Sequence, residues 1–234
     1  MALPLMAGPR GGETAVPKRC VIWDWNGTLF DDLGLCIQVE NELLDERGLP
    51  RIPSREAYLQ VFGFPVRDYY RRLGFDFSQE PYEAVAADYT RRYEAACPAC
   101  ALCPGAEENL AALEERGLCQ VLISASGRRS LAHQMAPFSR SIAPRFSAIL
   151  GVEHDLAHGK RHLAEGWLAQ SGFSPHQLVA VGDTLHDLEV ARALGCDCIL
   201  VEGGHQSPEA LRTSGAPVIS TLAQLPALVD SLGK

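Results

Sequence analysis

Two short, apolar, β-branched runs in this chain each end in an acid that opens onto a turn. The first is Arg19 to Trp25 (RCVIWDW), carrying Asp24, and the second is Gln177 to Asp183 (QLVAVGD). A strand buried on both faces reads as an unbroken hydrophobic run, and its polar end marks where the chain leaves the sheet. Cys119 to Ser124 (CQVLIS) and Cys196 to Val201 (CDCILV) are of the same kind, with weaker strand candidates at 146–150 and 217–220. Between them, 105–117, 127–137, 159–171 and 185–194 carry apolar residues at helical spacing, three of these patterns closing on glycine. Strand alternating with helix predicts an α/β fold in which a parallel sheet is covered by helices on both faces. Ligands bind such sheets beyond the carboxyl ends of the strands, which brings Asp24, Ser124 and Asp183 to one edge.

Residues 33–103 break this rhythm. Their patterns are helical (33–47, 54–61, 66–73 and 79–96), without a convincing strand, and the chain returns near Pro104-Gly105, a break suited to a hinge. The expected organisation is a flexible N-terminus over 1–17, a core built from 18–32 and 104–234, and an inserted all-helical cap over 33–103 placed to open and close over the strand ends. The formal net charge of −8 argues against nucleic acid or an anionic membrane surface as partner, because both select a basic face. No stretch reaches the ~18 consecutive apolar residues of a membrane span, so a cytoplasmic protein is expected. Eight cysteines fit that compartment as reduced thiols; Cys97, Cys100 and Cys103 cluster, one ligand short of a four-ligand zinc site.

The chemistry lies in two turns. Asp24-Trp25-Asn26-Gly27-Thr28 (DWNGT) follows the first strand, and Gly182-Asp183-Thr184-Leu185-His186-Asp187 (GDTLHD) follows the third, with Asp187 one turn into the next helix. Three carboxylates then share one edge, where like charges repel by roughly 4 kcal/mol per pair at an effective dielectric near 20. Such a cluster calls for a cation, and hard oxygen donors with room for water favour Mg2+. The chain holds three lysines (18, 160 and 234) against eighteen arginines, and Lys160 is the one far from either end. It opens a helix, an electrostatically poor place for a cation, which favours a functional role.

Asp24 to Thr28, Ser124 after VLI, Lys160 and GDTLHD resemble, in order and separation, the four motifs of the haloacid dehalogenase (HAD) superfamily. The resemblance covers residues 19–201, and the insertion between the first and second motifs resembles that family's helical C1 cap, in phosphoglycolate phosphatase-like members above all. It implies a Rossmann-like core and a magnesium-dependent phosphohydrolase in which Asp24 attacks phosphorus and forms an aspartyl-phosphate. It also implies that Asp24, the backbone carbonyl of Asn26 and Asp183 hold Mg2+, with Asp187 orienting a metal water or Lys160. Ser124, Ala125 and Lys160 would receive the phosphoryl group, and Thr28 would fix the loop beside it.

Asn26 departs from the family pattern, which places a second Asp there to protonate the leaving group and then activate water. An amide cannot exchange that proton, and such help is typically worth ~10²–10⁴ in rate. His186, inside the metal motif, is a candidate to assist; His205, after Gly203-Gly204, also lies on the correct edge and reads as a loop residue. A Schiff-base phosphonatase is disfavoured, since 33–103 contain no lysine. The alternative from another functional class is a phosphate-ligand-binding or regulatory protein with little turnover. Arg67, after Gly63-Phe64-Pro65-Val66, could bind a substrate carboxylate or second phosphate, and equally could belong to a solvated helix face. The expected partner is a small phosphorylated metabolite, and the expected state a monomer or homodimer.

Overall fold

The structure, a computed structural model, describes residues 16–153 and 159–232. The N-terminus expected to be flexible, 1–17, lies outside this range except for Val16 and Pro17. Strands run at β1 (Cys20–Trp23), β2 (Phe30–Asp31), β3 (Ala101–Leu102), β4 (Cys119–Gly127), β5 (Ala148–Val152), β6 (Leu178–Gly182), β7 (Asp197–Val201) and β8 (Val218–Ile219). Helices run at α1 (Leu33–Glu46), α2 (Arg55–Val61), α3 (Val66–Arg72), α4 (Tyr82–Ala96), α5 (Ala106–Glu115), α6 (Arg128–Met135), α7 (Lys160–Ser171), α8 (Leu185–Leu194), α9 (Pro208–Arg212) and α10 (Leu225–Leu232).

Six strands form one parallel sheet in the order β5-β4-β1-β6-β7-β8. Strand β1 is central, and its register sets Trp23 level with Leu122 of β4 and Val181 of β6. Asp24 prolongs that ladder by donating its N–H to the Val181 carbonyl at 2.9 Å. Ser124 and Asp183 therefore lie just beyond it on the two flanking strands. Alternate residues of each strand face opposite layers. Val21, Trp23, Leu122 and Val181 pack with Leu110 and Leu113 of α5 and Leu225 and Val229 of α10. Cys20, Ile22, Val121 and Ala180 pack with Ala164 of α7 and Leu188, Ala191 and Leu194 of α8. Each fully buried Val, Leu or Ile among them is worth roughly 1.5–3 kcal/mol over its exposed state.

The inserted segment is helical, as the periodicity predicts, and has its own core of Leu33, Leu43, Leu44, Tyr58, Tyr69, Tyr70 and Val85. Its joints to the sheet domain differ from expectation. Phe30–Asp31 and Ala101–Leu102 pair antiparallel as a two-stranded ribbon, so a short strand lies inside the span expected to be all helix. Two residues per strand are too few to carry a periodic signal.

Candidate active site

Around Asp24 the charges are close and largely dry. The Lys160 ammonium, brought in by the first turn of α7, lies 2.5 Å from Asp24 Oδ1 and donates a second hydrogen bond to Asp187 Oδ1. Lys160 is 4% exposed, Asp187 4% and Asp183 fully buried. One ligand oxygen from each of Asp24, Asp183 and Asp187 lies within 4.8 Å of the others. Thr28 donates its hydroxyl to Asp183 Oδ1 at 2.8 Å, and the His205 amide donates to Asp183 Oδ2 at 2.6 Å. Asp187 reaches back to cap α8, accepting from the Thr184 amide at 3.0 Å and its hydroxyl at 2.7 Å.

Two glycines permit this crowding. A Cβ on Gly182 would sit 2.2 Å from Asp187 Cγ; one on Gly27, whose φ is +73°, would sit 2.4 Å from Asp183 Oδ2. A side chain at either position would expel the carboxylate.

Electrostatics set the demand for a cation. Burial, with Asp187 and Asp183 adding to it against the pull of Lys160, pushes the Asp24 carboxyl up to about 8. Burial likewise pushes Asp183 up to about 6. For Asp187 burial also opposes ionisation, but the Lys160 ammonium and the Thr184 donors outweigh it and hold the group below the usual carboxylate range. Three carboxylates against one ammonium leave an excess of negative charge in a site of hard oxygen donors, which fits Mg2+.

Asn26 sits in a second network. Its amide Nδ2 donates to Asp32 Oδ2 at 2.8 Å and to the Tyr93 hydroxyl at 3.0 Å, while its Oδ1 accepts from the Ser126 hydroxyl at 2.8 Å. Asp32 is 1% exposed and also accepts from Tyr93 at 2.6 Å, from the Gly27 amide at 3.1 Å and, at 3.1 Å, from His205 Nε2. The other ring nitrogen of His205 meets the Tyr58 hydroxyl of α2 at 2.8 Å. Burial opposes charge on His205, yet Asp32 and Asp183 overcome it and push the imidazole up to about 9. Burial also opposes ionisation of Asp32, and His205, Tyr93 and Asn26 outweigh it to keep the group ionised.

The site opens into a cleft of about 1470 Å³ between the sheet edge and the inserted helices. Asp24, Asn26, Ser124, Ala125, Lys160, His186 and Asp187 line it, as expected from the sequence. Ser124 is 1% exposed, with Oγ accepting from the Ser126 amide at 3.0 Å. Thr28 and Arg67 are not among the cleft-lining residues. Thr28 is 1% exposed and donates its hydroxyl to Asp183. Arg67 is absent from the cleft lining; its guanidinium lies over the rings of Phe77 and Tyr82 at 5.6 and 5.5 Å, on an exposed face of α3. His186 is half-buried, 3.3 Å from Glu189 and packed on Phe64 at 5.1 Å. The sequence alone singled out none of Asp32, Tyr58 and Ser126 and left His205 as a loop residue. Only the second acid of Asp31-Asp32, eight residues after Asp24, offered a signal.

Comparison with known proteins agrees with this geometry. The family model described as haloacid dehalogenase-like hydrolase matches residues 21–201. A phosphoglycolate phosphatase of Synechococcus elongatus is 27% identical over 194 residues, covering 82% of this chain and 88% of that protein. A tyrosine-protein kinase, PtkA of Mycobacterium tuberculosis, is 26% identical over 226 residues, covering 96% and 76%. Among solved structures, a predicted phosphatase from Clostridium acetobutylicum superposes with a TM-score of 0.77 at 18% identity, covering 91% of this chain and 98% of that one.

Proposed function

The chain belongs to the haloacid dehalogenase-like hydrolases, and we propose that it is a magnesium-dependent phosphatase acting on a small phosphorylated metabolite through an aspartyl-phosphate on Asp24. The observation that carries this reading is Asp24 itself. Its carboxylate faces the cleft at the end of the central strand, with Lys160 at 2.5 Å and two further acids within reach of one ion.

In this mechanism Asp24, Asp183 and the Asn26 carbonyl would hold Mg2+, which would supply positive charge to the carboxylates and to the bound phosphoryl oxygens. Asp24 attacks phosphorus as the bond to the leaving oxygen breaks, and water then cleaves the aspartyl-phosphate to return the carboxylate and release phosphate. Lys160 offsets negative charge on Asp24 and the phosphoryl group, and Ser124 with the Ala125 segment receives the phosphoryl oxygens. Asp187 holds Lys160 in place, and Thr28 holds Asp183. Asn26 carries no exchangeable acid proton, so the leaving oxygen receives its proton from elsewhere, with His186 on the cleft wall a candidate donor. The phosphoglycolate phosphatase relative supports a small phosphorylated substrate. A monomeric or homodimeric cytoplasmic protein completes the proposal; among the described residues no helix is long and apolar enough to cross a membrane.

A second reading, phosphate binding with little turnover, is favoured by the Asn26 amide, which is committed to Asp32, Tyr93 and Ser126. Phosphate release from a phosphomonoester panel, including 2-phosphoglycolate and an activated aryl phosphate, with and without Mg2+, separates the two. Metal-dependent release on any member supports the phosphatase. Tight Mg2+-dependent phosphate binding without release on the whole panel supports the binding protein.

A further inference from the structure

Asp32, Cys36 and His205 bring a carboxylate, a thiol and an imidazole together in a second buried cluster, each offering a donor atom within 4.8 Å of the others. All three line the cleft. Asp32 precedes α1 and Cys36 follows one turn later, with the Cys36 N–H on the Asp32 carbonyl at 2.9 Å. Residues four apart share a helix face, so both side chains point the same way. His205 enters from the loop after β7, held by its own N–H on Asp183.

We propose that these three side chains form a second cation site, separate from the carboxylate cluster at Asp24, that takes a zinc-like transition-metal ion with its fourth position open to the cleft. Zinc bonds of ~2.0–2.1 Å to nitrogen or oxygen and ~2.3 Å to sulfur, arranged tetrahedrally, set ligand atoms roughly 3.3–3.6 Å apart. The separations here are 3.1 Å for His205 Nε2 to Asp32 Oδ1 and 3.7 Å for Cys36 Sγ to Asp32 Oδ2. The two contacts end on different oxygens of Asp32, and the third pair, His205 and Cys36, lies within 4.8 Å, so the side chains close in by up to about 1 Å to complete a coordination shell.

Charge and donor type agree with that size. A carboxylate, a thiolate and a neutral imidazole balance a divalent ion, which replaces the proton between His205 and Asp32 and the proton on Cys36. Thiolate and imidazole select zinc, cobalt or copper over magnesium, whose preference for oxygen leaves it to the Asp24 cluster. Asp32 keeps the donors that orient it, from Asn26, Gly27 and Tyr93, when the ion binds. An ion here also ties the first inserted helix to the core loop that carries His205, closing the cleft from its inner end.

Cobalt(II) tests the site spectroscopically, using the full chain under reducing conditions with excess Mg2+ to occupy the Asp24 cluster. One equivalent is expected to bind with the intense visible bands of a tetrahedral ion and a sulfur-to-cobalt charge-transfer band. Cys36→Ser should lose the charge-transfer band while Cys97→Ser keeps it, and His205→Gln should weaken cobalt binding about tenfold or more. Circular dichroism checks that each variant is folded; should Cys36→Ser fail to fold, the His205→Gln titration decides. A charge-transfer band surviving in folded Cys36→Ser, undiminished binding by His205→Gln, or displacement of cobalt from the wild-type chain by Mg2+ would overturn the assignment.

Discussion

Replacing Asn26 with the acid that the family pattern carries tests whether proton delivery limits this enzyme. The amide nitrogen of Asn26 lies 2.8 Å from Asp32 Oδ2, so Asn26→Asp faces one carboxyl with another at hydrogen-bond distance. Two unit charges at that distance repel by about 6 kcal/mol at an effective dielectric near 20. At 1.36 kcal/mol per unit this separates the two ionisations by about four units. That repulsion raises the second ionisation of the pair, and because His205 and Tyr93 keep the charge on Asp32, the remaining proton is held by the new carboxyl at position 26. The variant thus places a protonated carboxyl beside Asp24, in the form a departing oxygen needs. On an alkyl phosphate, whose leaving oxygen must be protonated, kcat should rise by ~10²-fold or more. On a nitrophenyl phosphate, whose leaving group departs as a stable anion, it should change little. The gain should fade as pH rises and the proton is lost. An alkyl-phosphate kcat unchanged or lowered, with the Mg2+ dependence preserved, would refute the reasoning and show that another group already delivers the proton.

Asp24→Asn removes the proposed nucleophile while preserving shape, and phosphate release should fall to background with the circular dichroism spectrum unchanged; full activity in this variant sinks the nucleophile assignment. The charge cluster also predicts how stability varies with pH. Asp24 and Asp183 are pushed up to about 8 and 6 from 3.8, so the folded state binds more protons than the unfolded one between pH ~4 and ~8, and the metal-free protein loses stability as pH rises through that window. His205, pushed up to about 9 from 6.5, acts in the same direction, its contribution complete below 6.5 and lost as pH rises through about 9. Thermal melts in chelator should therefore show Tm falling from pH 5 to 8.5, and Mg2+ should raise Tm most at the alkaline end; a metal-free Tm that rises with pH across this range contradicts the account.

Buried parallel strands announce themselves because both faces are apolar. Cys20–Trp23 and Leu178–Gly182 could be read as strands from composition alone, and an acid just past each was bound to face the ligand edge. The helices α7 and α8 were equally legible, since Gly172 and Gly195 end them in the left-handed conformation at φ +74° and +72°. Where the signal is short or periodicity is ambiguous, reading fails. The β2–β3 ribbon has no period, and α10 begins Leu225-Pro226, where proline in the first turn looks like a break but is tolerated. Arg67 stayed open between substrate and a solvated helix face for a different reason: helical spacing gives a residue its face but not what that face meets, and here it meets Phe77 and Tyr82.

The network around Asn26 was illegible because its members are far apart in sequence: Asp32 and His205 are separated by 173 residues, and Tyr93 arrives from the far end of the insertion. Its assembly changes what Asn26 means. Read along the chain, Asn26 is an acid missing from a motif. In space it is the neutral donor that a carboxylate already ionised by His205, Tyr93 and the Gly27 amide requires at 2.8 Å. A second carboxylate there would repel Asp32 or take up its proton, so the amide at 26 and the ion pair at 32 and 205 are one electrostatic arrangement. The Asn26 amide joins His205 and Tyr93 in keeping Asp32 charged next to Cys36. One charge thus links two features of this cleft: an amide at position 26 beside Asp32, and a buried carboxylate, thiol and imidazole brought together next to it.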